Sequence, residues 1–125
     1  MISLLLFSLA AICNAIMDTS VHHYHISILS KFKNTNYWDG HISWKNKYND
    51  TELIHGRIKW LNGIINKPLI FCDAWHLFKS LMIIFLVLSV LTFNSNYEWW
   101  IMLIIYGVNW NITFNIFYNN LLIKQ

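Results

Sequence analysis

Three long apolar stretches dominate the pattern of this chain, separated by one long polar segment and one short polar linker. They cover residues 2–22, 69–93 and 98–122. About 20 helical residues, rising about 1.5 Å each, cross the roughly 30 Å hydrocarbon core of a bilayer. The pattern therefore predicts an all-α integral membrane protein, a three-helix bundle that forms one membrane domain over residues 1–125.

The polar segment between the first two spans, residues 23–68, has a helical pattern of its own. Its apolar positions recur at helical spacing: Ile54, Ile58, Leu61 and Ile65. Basic and tryptophan side chains surround this stripe, which is typical of an amphipathic helix in the headgroup region. The segment is therefore predicted to be a basic interfacial loop that contains such a helix. The alternative is a short soluble helix that caps the bundle.

The first apolar stretch also has a feature of a secretory signal peptide, because Cys13-Asn14-Ala15 has the small-x-small form of a cleavage site. Two observations favour a retained helix instead. No Lys or Arg precedes the apolar run, and the apolar character continues through Ile16, Met17 and Val21. We therefore expect the first span to be part of the mature protein.

Composition agrees with membrane residence. Hydrophobic residues make up 56% of the chain and charged residues 12%, against roughly 45–50% and about 25% in soluble domains. The net charge of +3 is too small to favour nucleic acid as a partner, and the basic residues lie beside apolar segments. The lipid bilayer is the partner that the sequence indicates.

The distribution of basic residues predicts an orientation. Seven of the nine Lys and Arg residues lie within 23–68, Lys124 follows the last span, and the short linker 94–97 has none. Basic residues collect on the cytoplasmic side of a membrane. The N-terminus is therefore predicted to lie outside, with the basic loop and the C-terminus in the cytoplasm. The short linker predicts that the second and third spans form an antiparallel hairpin.

Each span carries a polar stripe, and the predicted topology brings the three stripes to the same membrane depth. Residues three or four apart share a helical face. The stripes are Asn14, Asp18 and His22 on the first span, Asp73 and His76 on the second, and Asn111 and Asn115 on the third. We expect them to converge in the cytoplasmic leaflet.

Two interpretations of this polar cluster are open. Two carboxylates and two imidazoles are ligands that a divalent metal accepts, and such a metal can activate water. The predicted ligands are Asp18, His22, Asp73 and His76, and the three asparagines would support them or contact a substrate. The structural alternative is that these side chains only cross-link helices by hydrogen bonds.

Three blocks of sequence resemble segments of small uncharacterised membrane proteins of bacterial and phage genomes. The blocks are Asn14-Ala15-Ile16-Met17-Asp18, Ser43-Trp44-Lys45-Asn46-Lys47 and Asp73-Ala74-Trp75-His76-Leu77-Phe78-Lys79. The resemblance implies membrane residence and no established activity.

Three classes of function fit these observations. A non-catalytic membrane protein, either an accessory subunit or a holin-like assembly, requires least of the sequence. The alternatives are an intramembrane metal-dependent enzyme acting on a lipid or amphiphile, and an ion or metal transporter, whose pathway would need several copies of a three-span chain. The sequence contains no phosphate-binding glycine loop and no common nucleophile motif. The non-catalytic class is the prediction.

Overall fold

The computed structural model describes residues 1–47 and 69–123, and these ranges are almost entirely helical. Their α-helices are α1 (Ile2–His22), α2 (Thr35–Trp38), α3 (Gly40–Ser43), α4 (Ala74–Leu91) and α5 (Trp99–Asn115). A π-helical segment, Ile116–Leu122, continues α5. Helices α1, α4 and α5 with its extension are long and apolar enough to cross a membrane. The predicted all-α fold with three such helices is therefore confirmed for the described residues.

Helix α1 is the centre of the bundle, because α4 and α5 both pack along it and make few contacts with each other. It is the most buried of the three long helices, and α5 is the least buried. Apart from Met17, its buried side chains are small: Ser3, Ala10, Ala11, Cys13, Ala15, Thr19 and Ser20. Small residues let helix backbones approach closely where lipid gives no hydrophobic drive for association.

Hydrogen bonds and ring contacts fix the directions of the helices. At one end, the Ser3 hydroxyl donates to the Ser89 carbonyl at 2.6 Å, and the Ser89 hydroxyl donates to the Ser3 carbonyl at 2.8 Å. Helix α4 therefore runs antiparallel to α1. Near the other end, the rings of His23 and Tyr118 lie 5.5 Å apart, so α5 runs in the same direction as α1. Helices α4 and α5 are therefore antiparallel to each other, as a hairpin requires. However, each of them packs mainly on α1 and not on the other.

The second long helix is shorter than the apolar stretch that predicted it. The stretch begins at residue 69, whereas α4 begins at Ala74. The reason is Asp73, whose side chain accepts a hydrogen bond from the His76 backbone and caps the helix. The preceding residues form a 3₁₀ turn, Leu69–Phe71. Apolar character alone could not show this boundary.

Residues 24–47 form a layer of short helices over the end of the bundle where α1 ends and α4 begins. In addition to α2 and α3, the layer contains three 3₁₀ turns: Tyr24–Ile26, Ile28–Lys31 and Trp44–Lys47. Its Gly40 fits tightly against α1, because an added Cβ would lie 2.7 Å from the Val21 side chain. The sequence predicted only a polar loop here. The predicted amphipathic helix lies outside the described residues.

Candidate functional site

Asp73 and His76, two residues of the predicted site, form a hydrogen-bonded pair at the start of α4. Asp73 is 1% exposed, and its Oδ1 accepts from the His76 backbone N–H at 2.7 Å. The imidazole Nδ1 of His76 lies 2.9 Å from Oδ1 and 2.8 Å from Oδ2. A carboxylate at Nδ1 fixes the ring and directs Nε2 away from it. The pair is therefore both a helix cap and an oriented imidazole.

Asp18 and Asn14 form a second pair, on α1. The Asn14 amide Nδ2 donates to Asp18 Oδ2 at 3.4 Å. Asp18 is half-buried, whereas His22, one turn further on, is exposed. Tyr118 of the π-helical segment lies close enough to Asp18 to interact with it electrostatically. The Asp18 carboxylate therefore lies near the π-helical segment that continues α5.

The two pairs do not combine into a metal centre. In the described part of the chain, no group of three or more His, Cys, Asp and Glu side chains is placed to hold a metal ion. The carboxylate of Asp73 is used by the first turn of α4, and the hydrogen bond made by Asp18 stays within α1. The described residues therefore do not support the metal site predicted from sequence, whose ligands are Asp18, His22, Asp73 and His76.

The asparagines predicted for the third span, Asn111 and Asn115, lie on the outside of the bundle. Both are exposed, and their Nδ2 groups donate back to the carbonyls of Gly107 and Asn111, each at 2.8 Å. They therefore do not line the interior with Asn14 and Asp18. The spacing on α5 correctly predicts one polar stripe, but spacing does not tell which side of a helix meets its neighbours.

The asparagine that does face α1 is Asn109, which the sequence pattern did not single out. Its Nδ2 donates to the Ser8 hydroxyl at 2.9 Å, and that hydroxyl lies 3.2 Å from its Oδ1. Helical residues are about 100° apart around the axis, so Asn111 points to nearly the opposite side. Phe7 contacts Tyr106 and Trp110 on the same inner face. That aromatic grouping was the signal available in the sequence.

These two asparagines provide a matched test of the fold. Asn109→Leu removes the interhelical partner of a half-buried Ser8 hydroxyl, which keeps only its bond to the Leu4 carbonyl within α1. We therefore expect the free energy of unfolding in a mild detergent to fall by about 1–2 kcal/mol. Asn111→Leu, on the outer face, is the control and should change it by less than about 0.5 kcal/mol. Equal effects of the two substitutions in monomeric protein would contradict the assignment of faces.

Two further polar residues, both in the capping layer, were not predicted from the sequence. Tyr37 of α2 lies near Asp73, and burial, with smaller contributions from Asp73 and Cys72, raises the pKa of its phenol. Asp39 is buried and caps α3, its Oδ1 accepting from the His41 backbone at 2.9 Å. An Asp before Gly40 was the available signal for a cap. The capping layer thus brings a second buried carboxylate to this end of the bundle.

Comparisons of the chain with models of protein families, with curated proteins and with solved structures gave no match.

Proposed function

We propose that this protein is a non-catalytic integral membrane protein that acts as a subunit of a membrane assembly. Its polar side chains between helices are engaged in structural hydrogen bonds, such as those of Ser3 with Ser89 and of Ser8 with Asn109. The outer face of α5 differs from these helix contacts. Its side chains Asn111 and Asn115 are exposed, and they lie within a helix that is long and apolar enough to span a bilayer. Exposed amides on such a helix are the single observation that carries the proposal, since interhelical hydrogen bonds drive association in lipid.

The proposed orientation has the N-terminus outside and the basic loop in the cytoplasm. The support is the charge distribution together with the antiparallel arrangement of α1 and α4, which puts residues 24–47 at one end of the bundle and the linker after α4 at the other.

Thiol labelling checks this orientation. In a Cys13→Ser, Cys72→Ser background, we expect Ser95→Cys to react with an impermeant reagent in intact cells. Lys45→Cys, at an exposed position of the capping layer, should react only after the membrane is permeabilised. Reaction of Lys45→Cys in intact cells would contradict the orientation, and permeabilisation controls for access to the thiol.

Assembly is tested on protein extracted with its surrounding lipid in native nanodiscs. We expect a protein mass well above the 14.9 kDa of one chain. A single chain per particle would contradict the proposal. Expression of the protein in bacteria then distinguishes the two kinds of assembly. A holin-like assembly arrests growth and makes the membrane leak, whereas an accessory subunit does neither.

The oriented imidazole supports a second candidate, an intramembrane enzyme acting on a lipid or amphiphile. His76 is held at Nδ1 by a buried carboxylate, which is how a histidine general base is positioned. Turnover of membrane lipid that is present in the wild-type protein and lost in His76→Gln would favour this candidate. Equal lipid turnover in the wild-type protein and in His76→Gln would contradict this candidate, and the Asp73–His76 pair would then serve only as a helix cap.

A further inference from the structure

The outer face of α5 carries a repeated polar ladder. Its members are four residues apart: Gly107, Asn111, Asn115 and Asn119. All four are exposed, and each asparagine donates to the member one turn before it, Asn119 reaching the Asn115 Oδ1 at 3.0 Å. These bonds hold the amides along one line on the helix. Each amide still has a second N–H, and the side-chain oxygen of the exposed Asn111 accepts none of these bonds.

A β-branched residue follows most members of the ladder. These are Val108, Ile112 and Ile116, and all three are exposed. A Cβ added to Gly107 would meet nothing within 4 Å, so the ladder begins where another helix can approach the backbone. A four-residue repeat of this kind favours helix pairs that cross by packing along the i, i+4 rows. The face thus combines hydrogen-bonding groups with a rigid apolar border.

Membrane depth gives this face its energetic importance. At about 1.5 Å per residue, Asn111 lies about 18 Å along the helix from Trp99, near the middle of a bilayer core of about 30 Å. Water is absent there, and amide groups left without partners are costly. The described part of α5 and its extension carry no Asp, Glu, Lys or Arg after Glu98, so no charge repels a similar helix.

We infer that this ladder is the surface through which two copies of the chain pair in the membrane, α5 against α5 and in parallel. An amide is both donor and acceptor, so the ladder is complementary to itself. Copies inserted with the same orientation place each asparagine at the same depth as its counterpart, which a two-fold parallel pair requires. The inference rests on the proposed membrane assembly and deepens it by naming the partner and the contact face.

Cysteine cross-linking in native membrane vesicles tests the pairing, again in the Cys13→Ser, Cys72→Ser background. We expect Val108→Cys to form a disulfide-linked dimer rapidly on mild oxidation. Val87→Cys on α4 is the matched control, because the two valines are 51% and 52% exposed. It should cross-link at least about tenfold more slowly. Equal rates for both positions, or a cross-link from Val108→Cys to a different protein, would overturn the inference.

The role of the amides is tested by replacing them in the same assay. Asn111→Leu with Asn115→Leu should lower dimer formation from Val108→Cys by about tenfold. Both positions are exposed within one chain, so helical content and thermal stability of the monomer in detergent should not change. An unchanged dimer yield would overturn the pairing through the ladder. The nanodisc measurement tests the proposed assembly independently of the ladder. That proposal fails if each nanodisc contains one wild-type chain.

Discussion

Asp73→Ala should be among the most destabilising single substitutions in the protein, lowering the free energy of unfolding by about 2–4 kcal/mol. Loss of a helix N-cap costs about 1 kcal/mol, and leaving the half-buried imidazole of His76 without its carboxylate partner costs about 1–3 kcal/mol more. Asp73 has both roles, because its carboxylate accepts from the His76 backbone and holds the imidazole. Reversible unfolding in mild detergent measures the loss.

Two further variants separate these roles. Asp73→Asn keeps an oxygen for the cap, so it should lose less than half as much stability as Asp73→Ala. His76→Ala removes the imidazole and leaves the cap. In a double-mutant cycle, Asp73 and His76 should be coupled, whereas Asp18 and His76 should be additive. A wild-type stability for Asp73→Ala, or strong coupling of Asp18 with His76, would contradict the structure and revive a site shared between α1 and α4.

Ala15→Leu should have an effect of similar size, about 3 kcal/mol, because it overfills a closely packed position. Ala15 is 0% exposed and lies in a cluster with Tyr24, Leu29 and Leu122. Overpacking of a well-filled core typically costs about 1–3 kcal/mol, and here the added atoms would also separate α1 from the end of the third span. Thermal unfolding of the purified protein measures this effect.

The control at the same position is Ala15→Ser, which adds a single oxygen. Its hydroxyl can bond to a carbonyl of the preceding helical turn, as Thr19 does with Ala15 at 2.8 Å. We therefore expect a loss below about 1 kcal/mol. A Leu variant as stable as the Ser variant would show that α1 is not closely packed there.

The three long helices could be predicted from sequence because apolar length is a property of each segment by itself. Their ends were less accessible. The stretch from residue 69 to 72 is as apolar as α4 itself, and only the cap formed by Asp73 shows where α4 begins. The capping layer was missed for a related reason, since its helices of four residues, such as Gly40–Ser43, are too short to give a period. Their positions depend on contacts with α1.

The candidate site was predicted in part. Spacing correctly paired Asp73 with His76 and Asn14 with Asp18, because partners within one helix are set by local geometry. Spacing could not give the rotation of one helix against another. The aromatic residues of α5 decide that rotation by packing on Phe7. They turn Asn109 inward and Asn111 outward.

The central position of α1 has a consequence for how the chain is made. The ribosome completes α1 before α4 and α5. In the proposed membrane arrangement, the first helix therefore enters the membrane before the two helices that cover it, and lipid contacts its serine and alanine face until they insert. Because α4 and α5 rely on α1 and barely touch each other, a chain cut between α1 and α4 should assemble when both pieces are synthesised together. The second piece by itself should yield two helices that do not associate.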